Sequence, residues 1–125
     1  MQDDIDDAIV SAIQVLRGQL KWKPGSDVRH LAKRKRMEHL PPDATLADYT
    51  DLILGVLAAP VSKVYCYDHE STRYGVVVGM YGDRDWLVIF TLQGVLETAF
   101  PPGNAQRYID RRQMRLLGTM EELVT

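Results

Sequence analysis

With a single cysteine, Cys66, the chain can form no intramolecular disulfide and no cysteine-rich zinc site. Histidine is scarce as well: His30, His39 and His69 include no i,i+4 pair, so neither a metal nor a cofactor is expected. No apolar run approaches the roughly eighteen residues that a membrane-spanning helix needs. The opening residues Met1-Gln2-Asp3-Asp4 are acidic where a signal peptide is basic. These absences predict a protein without a membrane partner, at work in the cytoplasm, either its own or that of a target cell into which it is delivered. Repeats and low-complexity segments are missing too. Nor is there an excess of positive charge, since 15 Lys and Arg face 17 Asp and Glu for a net charge of −2. The molecule as a whole therefore exerts no long-range pull on nucleic acid.

What is present is local. Residues 17–36 carry eight basic side chains against the single acid Asp27, a charge of +7 over twenty residues. Residues 107–115 add Arg107, Arg111, Arg112 and Arg115 against Asp110. Such patches bind phosphates where the total charge does not, and otherwise they are simply solvated helix faces. Hydrophobic residues make up 46% and charged residues 26% of 125, the usage of one compact domain over residues 1–125. Cys66 sits in the run Val64-Tyr65-Cys66-Tyr67, where a small buried thiol is expected rather than a nucleophile.

The first half reads as helices. Ile5, Ala8, Ile9, Ala12, Ile13, Leu16 and Leu20 form one stripe of an N-terminal helix within 1–23, with the acids of 3–7 at its positive end and Lys23-Pro24-Gly25 as its break. Ser26 or Asp27 is placed to cap a second helix running to about Leu40, where Pro41-Pro42 forbids extension. Thr45 and Asp48 match a capping box that opens a third helix, closed by Pro60. From Val61 the period becomes that of strands: Lys63 to Tyr67, Arg73 to Tyr81, Trp86 to Leu92 and Val95 to Phe100. The near-continuous apolar run at Trp86 to Phe90 predicts the central strand, and Gln93-Gly94 a two-residue hairpin connection. Asn104 then caps a short helix to about Met114, and Gly118 precedes a small terminal element. The expected fold is α+β, with N-terminal helices packed on one face of a four-stranded antiparallel sheet and a short C-terminal helix.

Two segments carry chemistry: the basic helix Arg29-His30-Leu31-Ala32-Lys33-Arg34-Lys35-Arg36, followed by Leu40-Pro41 and a further helix, and the strand ending Gly94-Val95-Leu96-Glu97-Thr98-Ala99-Phe100-Pro101-Pro102. This arrangement, over roughly residues 26–112, resembles the barnase, EndoU, colicin and RelE (BECR) group of small metal-independent ribonucleases, in its phage and polymorphic-toxin branch. The resemblance implies an endoribonuclease-like toxin domain that cleaves RNA, tRNA among its candidate targets, held in check by a cognate antitoxin or immunity protein. It also implies a helix histidine and a strand threonine as site residues, which here are His30 and Thr98.

The chemistry of the residues runs the same way. RNA cleavage without a metal needs a base for the 2′-hydroxyl proton, an acid for the leaving 5′-oxygen and donors for the phosphate. His30 titrates near neutrality, and adjacent cations are expected to favour its neutral, proton-accepting form. Lys33 and Arg34, three and four residues on, share its helix face. Thr98 offers a hydroxyl from a strand, and Glu97 is expected on the opposite face because strand side chains alternate. Arg73, Tyr108 and Arg111 are candidate contacts for phosphates and bases. His39 is the reserve proton carrier, read as the penultimate residue of the second helix, and His69 as an exposed turn residue. Each of these also has a purely structural reading: surface histidine, strand-favouring threonine, aromatic packing residue. The competing functions are a non-catalytic phage or bacterial module that binds nucleic acid or an acidic protein, and an immunity or antitoxin-like protein whose acidic N-terminal helix faces the partner.

Overall fold

A computed structural model describes residues 4–124. Asp3, expected at the positive end of the first helix, lies outside the described residues, as does the rest of the acidic Met1-Gln2-Asp3 start. Three helices come first: α1 (Asp4–Gly18), α2 (Ser26–Arg36) and α3 (Leu46–Ala58). Strands β1 (Lys63–His69), β2 (Thr72–Tyr81), β3 (Arg84–Thr91) and β4 (Leu96–Phe100) follow, then α4 (Ala105–Arg111), β5 (Arg115–Thr119) and α5 (Met120–Leu123). The fold is α+β, as the change of period near Val61 predicts. Among the described residues no helix is long and apolar enough to cross a membrane.

The sheet has five antiparallel strands in the order β4-β3-β2-β1-β5, one more than expected. β5 escapes a sequence reading because it is five residues long, shifts register against β1 at Val64/Tyr65 and pairs with a strand about fifty residues earlier. Its addition makes β2 the central strand, so Trp86 to Leu92 is internal rather than central. The apolar run of β3 is nevertheless explained, because both faces of β3 are covered. Trp86, Val88 and Phe90 join the core beneath α1 and α3, built on Ile9, Ile13, Leu16, Tyr49, Ile53 and Leu57. Leu87 and Ile89 face the other way, into a smaller cluster with Tyr65, Val76, Val78, Ile109 and Met114. The helices are thus not confined to one face, since α4 closes the second cluster through Ile109.

Helix ends show where local bonds override composition. The capping box is present in full: Thr45 Oγ1 accepts from Asp48 N–H and Asp48 Oδ2 from Thr45 N–H. Asn104 caps α4 by accepting from Arg107 N–H at 3.0 Å. α1 stops at Gly18, ahead of Lys23-Pro24-Gly25, because the chain is drawn into a bond from Leu96 N–H to the Lys21 carbonyl at 2.7 Å. Neither Ser26 nor Asp27 caps α2; its N-cap is Gly25, left-handed at φ 79°, while Ser26 Oγ donates to the Lys23 carbonyl. α2 ends at Arg36 rather than near Leu40, because Glu38 turns left-handed (φ 60°) and the N–H groups of His39 and Leu40 fold back onto the Arg34 carbonyl. α4 ends at Arg111, short of Met114, by the same device at Gln113 (φ 53°). The hairpin connection is Leu92 to Gly94, closed by Gly94 N–H on Thr91 O and Thr91 N–H on Val95 O, with Thr91 Oγ1 accepting from Val95 N–H.

Two glycines make this packing testable. A Cβ on Gly75 would fall on the Phe90 ring in the core, whereas one on Gly55, inside α3, would meet nothing within 4 Å. Gly75→Ala is expected to lower unfolding free energy by about 1–3 kcal/mol through overpacking. Gly55→Ala is expected to raise it by about 0.5–1 kcal/mol through helix propensity. Urea denaturation of the two variants measures both, and a Gly75→Ala protein as stable as the parent would show the β2–β3 core to be misplaced.

Candidate functional site

The chain between α1 and α2 lies along the outer edge of β4, where Trp22 and Leu96 form a short parallel bridge. That strap fixes the Trp22 indole, which touches Tyr49 of the core at 5.7 Å between centroids. The His30 ring stacks on the same indole at 5.2 Å and 29°. α2 is thereby held against α3 and β4 with His30 turned to the strand. His30 Nδ1 lies 3.4 Å from Thr98 Oγ1, so two segments separated by about seventy residues meet at one contact.

The two line an open groove of about 630 Å³ together with Lys33, Arg34, Met37, His39, Phe100, Pro101, Pro102, Gly103 and Tyr108. Among the described residues no carboxylate lines it. Arg34 is only 4% exposed and forms the floor. One of its terminal nitrogens is 3.2 Å from His39 Nδ1, the other is 4.0 Å from the Met37 sulfur, and its guanidinium carbon stands 5.6 Å from the centre of the Phe100 ring. Its Nε is buried with no hydrogen-bond partner, and among the described residues no ion pair includes it. A buried guanidinium without a carboxylate is costly, and it is the arrangement an anion would relieve.

The groove disfavours the protonated form of its imidazoles. Burial lowers the His30 pKa first, and Arg29, Arg34 and Lys33 lower it further; Glu97 opposes them. Burial, then Arg34 and Arg84, lower that of His39. Because a guanidinium only donates, His39 Nδ1 must accept from Arg34, which places the ring proton on Nε2. His39 is not a helical residue, since it lies past the end of α2, yet the turn at Glu38 returns it to the groove that holds His30.

Glu97 departs from its expected place. β4 carries a bulge opposite Ile89/Phe90: Phe90 pairs with Leu96 and Ile89 with Thr98, leaving Glu97 as the extra residue. Strict alternation therefore fails, and Glu97 is near enough to His30 to favour its charged form while it binds Lys23 Nζ at 2.7 Å. Of the remaining candidates, Tyr108 lines the groove and Arg111 lines an adjoining depression with Arg107 and Arg112. Arg73 does not join them. It pairs with Asp68 and lines a separate depression near Leu92, because its β2 position lies beside the β1–β2 turn. His69 is the last residue of β1 rather than a turn residue, exposed beside Tyr67 and Glu70. Cys66 is buried, and burial raises its pKa, as expected of a structural thiol. Among the described residues no cluster of His, Cys, Asp and Glu could hold a metal.

Sequence reading missed Trp22, Phe100 and Arg112. The first two resemble ordinary core aromatics, and nothing in their spacing marks them as the partners of His30 and Arg34. Comparison with known protein families, curated proteins and solved structures gives no match for this chain.

Two expectations follow from the electrostatics. Replacing Arg34 by the apolar Arg34→Met should leave stability unchanged or raised, since it removes an uncompensated buried charge; a loss of more than about 3 kcal/mol in urea denaturation, as when one member of a buried pair is removed, would show a hidden counter-ion. Both imidazoles have folded pKa values below the ordinary 6.5, so the fold binds fewer protons than the unfolded chain. Their contribution is complete above pH 6.5 and is lost as pH falls through the folded values. Melting temperature should therefore decline below pH 6.5, and decline less in His39→Gln.

Proposed function

We propose that this groove binds the phosphodiester backbone of RNA and cleaves it without a metal, as a toxin-type endoribonuclease of the BECR kind. The contact between His30 and Thr98, on the wall of a groove floored by the unpaired Arg34, carries the reading. Neutral His30 takes the proton of the 2′-hydroxyl as its oxygen attacks phosphorus, and the proton so acquired is available to the departing 5′-oxygen. Lys33, Arg34 and Thr98 supply donors to the phosphoryl oxygens, where negative charge accumulates. Among the described residues no carboxylate lines the groove, which suits a phosphate, and an acidic antitoxin or immunity protein could cover the same surface.

Purified protein incubated with total RNA or a tRNA pool in EDTA should leave 2′,3′-cyclic phosphate ends. His30→Ala should lower the rate by about two to four orders of magnitude, the usual contribution of a positioned base. The rate should fall with decreasing pH only below 6.5, because the active, neutral imidazole has a lowered pKa. No cleavage at micromolar protein, freed of any co-purifying inhibitor, would leave a non-catalytic binding module. In that module His30→Ala changes little while Lys33→Ala weakens RNA association and its salt dependence.

A further inference from the structure

Beside the groove, across Pro102 and Gly103, lies a depression lined by Asn104, Arg107, Tyr108, Arg111 and Arg112. It shares Tyr108 with the groove, so that ring forms the boundary between the two. The Arg112 guanidinium carbon sits 3.5 Å from the centre of the Tyr108 ring, close enough for the two planes to be stacked. Phe100 closes on Tyr108 edge-on at 5.2 Å and 70°, which holds the ring against rotation. Tyr108 is half-buried and Arg112 is exposed, so the guanidinium over the ring belongs to a solvent-accessible side chain. Among the described residues none of the ion pairs includes Arg107, Arg111 or Arg112. The result is a guanidinium laid over an aromatic ring, with two further arginines and, among the described residues, no carboxylate lining the depression.

We infer that the Tyr108–Arg112 stack is a platform for one unpaired nucleobase, and that the groove therefore takes single-stranded rather than duplex RNA. The inference rests on the reading of the groove as an RNA site and adds the substrate class to it. A planar guanidinium backed by an aromatic ring offers a base the same stacking surface that a second aromatic would, together with N–H edges for the adjoining phosphate. A paired base is already stacked within its helix and cannot lie on the platform. Arg107 and Arg111 stand where the strand's next phosphates would run. An acidic peptide would use the charge of these arginines but not the plane of Arg112, and that difference decides between the two ligands.

The test uses the full chain and a fluorescent, 2′-O-methylated hexaribonucleotide, which cannot be cleaved, so that binding is read apart from catalysis. The single strand should bind at least about tenfold more tightly than the blunt duplex of the same sequence. Arg112→Lys, which keeps the charge and loses the plane, should weaken binding by about tenfold, nearly as much as Arg112→Ala, the scale of one lost base stack. Its melting temperature should match that of the parent, because Arg112 is a surface residue. Equal affinity for duplex and single strand, wild-type affinity in Arg112→Lys, displacement by poly-glutamate as effective as by RNA, or no binding of any oligonucleotide would each overturn the platform. The underlying reading fails separately: tight, Arg112-dependent binding without cleavage of unmodified RNA removes the enzyme and keeps the platform. His30-dependent cleavage with an inert Arg112→Lys does the reverse.

Discussion

The bond from Leu96 N–H to the Lys21 carbonyl is the constraint on which the candidate site depends. It straps the α1–α2 connection to the edge of β4 and so sets the position of Trp22. His30 then has a fixed aromatic surface to stack on, and α2 a fixed orientation relative to the strand that carries Thr98. The helix has little else to hold it. Of its residues only Ser26 and Arg34 are buried, and its N-cap makes no side-chain bond. A helix this polar is positioned by what its ends and a few side chains touch rather than by an apolar stripe.

Arg34 links fold and chemistry from the other side. Through His39, Met37 and Phe100 it joins the end of α2, the turn that follows it and the end of β4. The interactions are those of a neutral acceptor, a thioether and an aromatic face, none of which cancels a full charge. A guanidinium installed on such terms keeps a field directed at the groove, and burial of the two rings, reinforced by that field, lowers the pKa of both imidazoles. The cost of burying a charge and the field that charge casts over the groove thus reside in one side chain.

Much of this was legible in the sequence, for identifiable reasons. The stripe of α1, the Thr45–Asp48 box, the Asn104 cap and the β-branched and aromatic runs of β1 to β4 are local signals, and the elements formed over them. His30 and Thr98 could be singled out by residue type alone, a proton carrier and a strand hydroxyl, and they lie 3.4 Å apart. What stayed hidden depends on contacts between distant segments. The early end of α1 answers to Leu96, and β5 exists only because β1 has a free edge to pair with. The bulge at Glu97 re-aims a carboxylate that period-two reasoning sends to the opposite face. Arg73 was drawn to the site by its residue type, but its strand position ties it to Asp68 at the β1–β2 turn. No composition or spacing rule shows that Arg34, one cation among four in a row, is the one that turns inward.

The strap along β4 has a consequence for how these molecules meet one another. An uncovered outer strand is a template on which another chain's strand can pair, and sheets with two such borders invite head-to-tail growth. Here the β4 border is already engaged by the Trp22 segment. The opposite border, β5, is five residues long, bulged against its neighbour and begins with Arg115, whose charge is directed to Asp6. A sheet guarded in this way at both margins resists the addition of a foreign strand, so the domain closes its β-structure on itself.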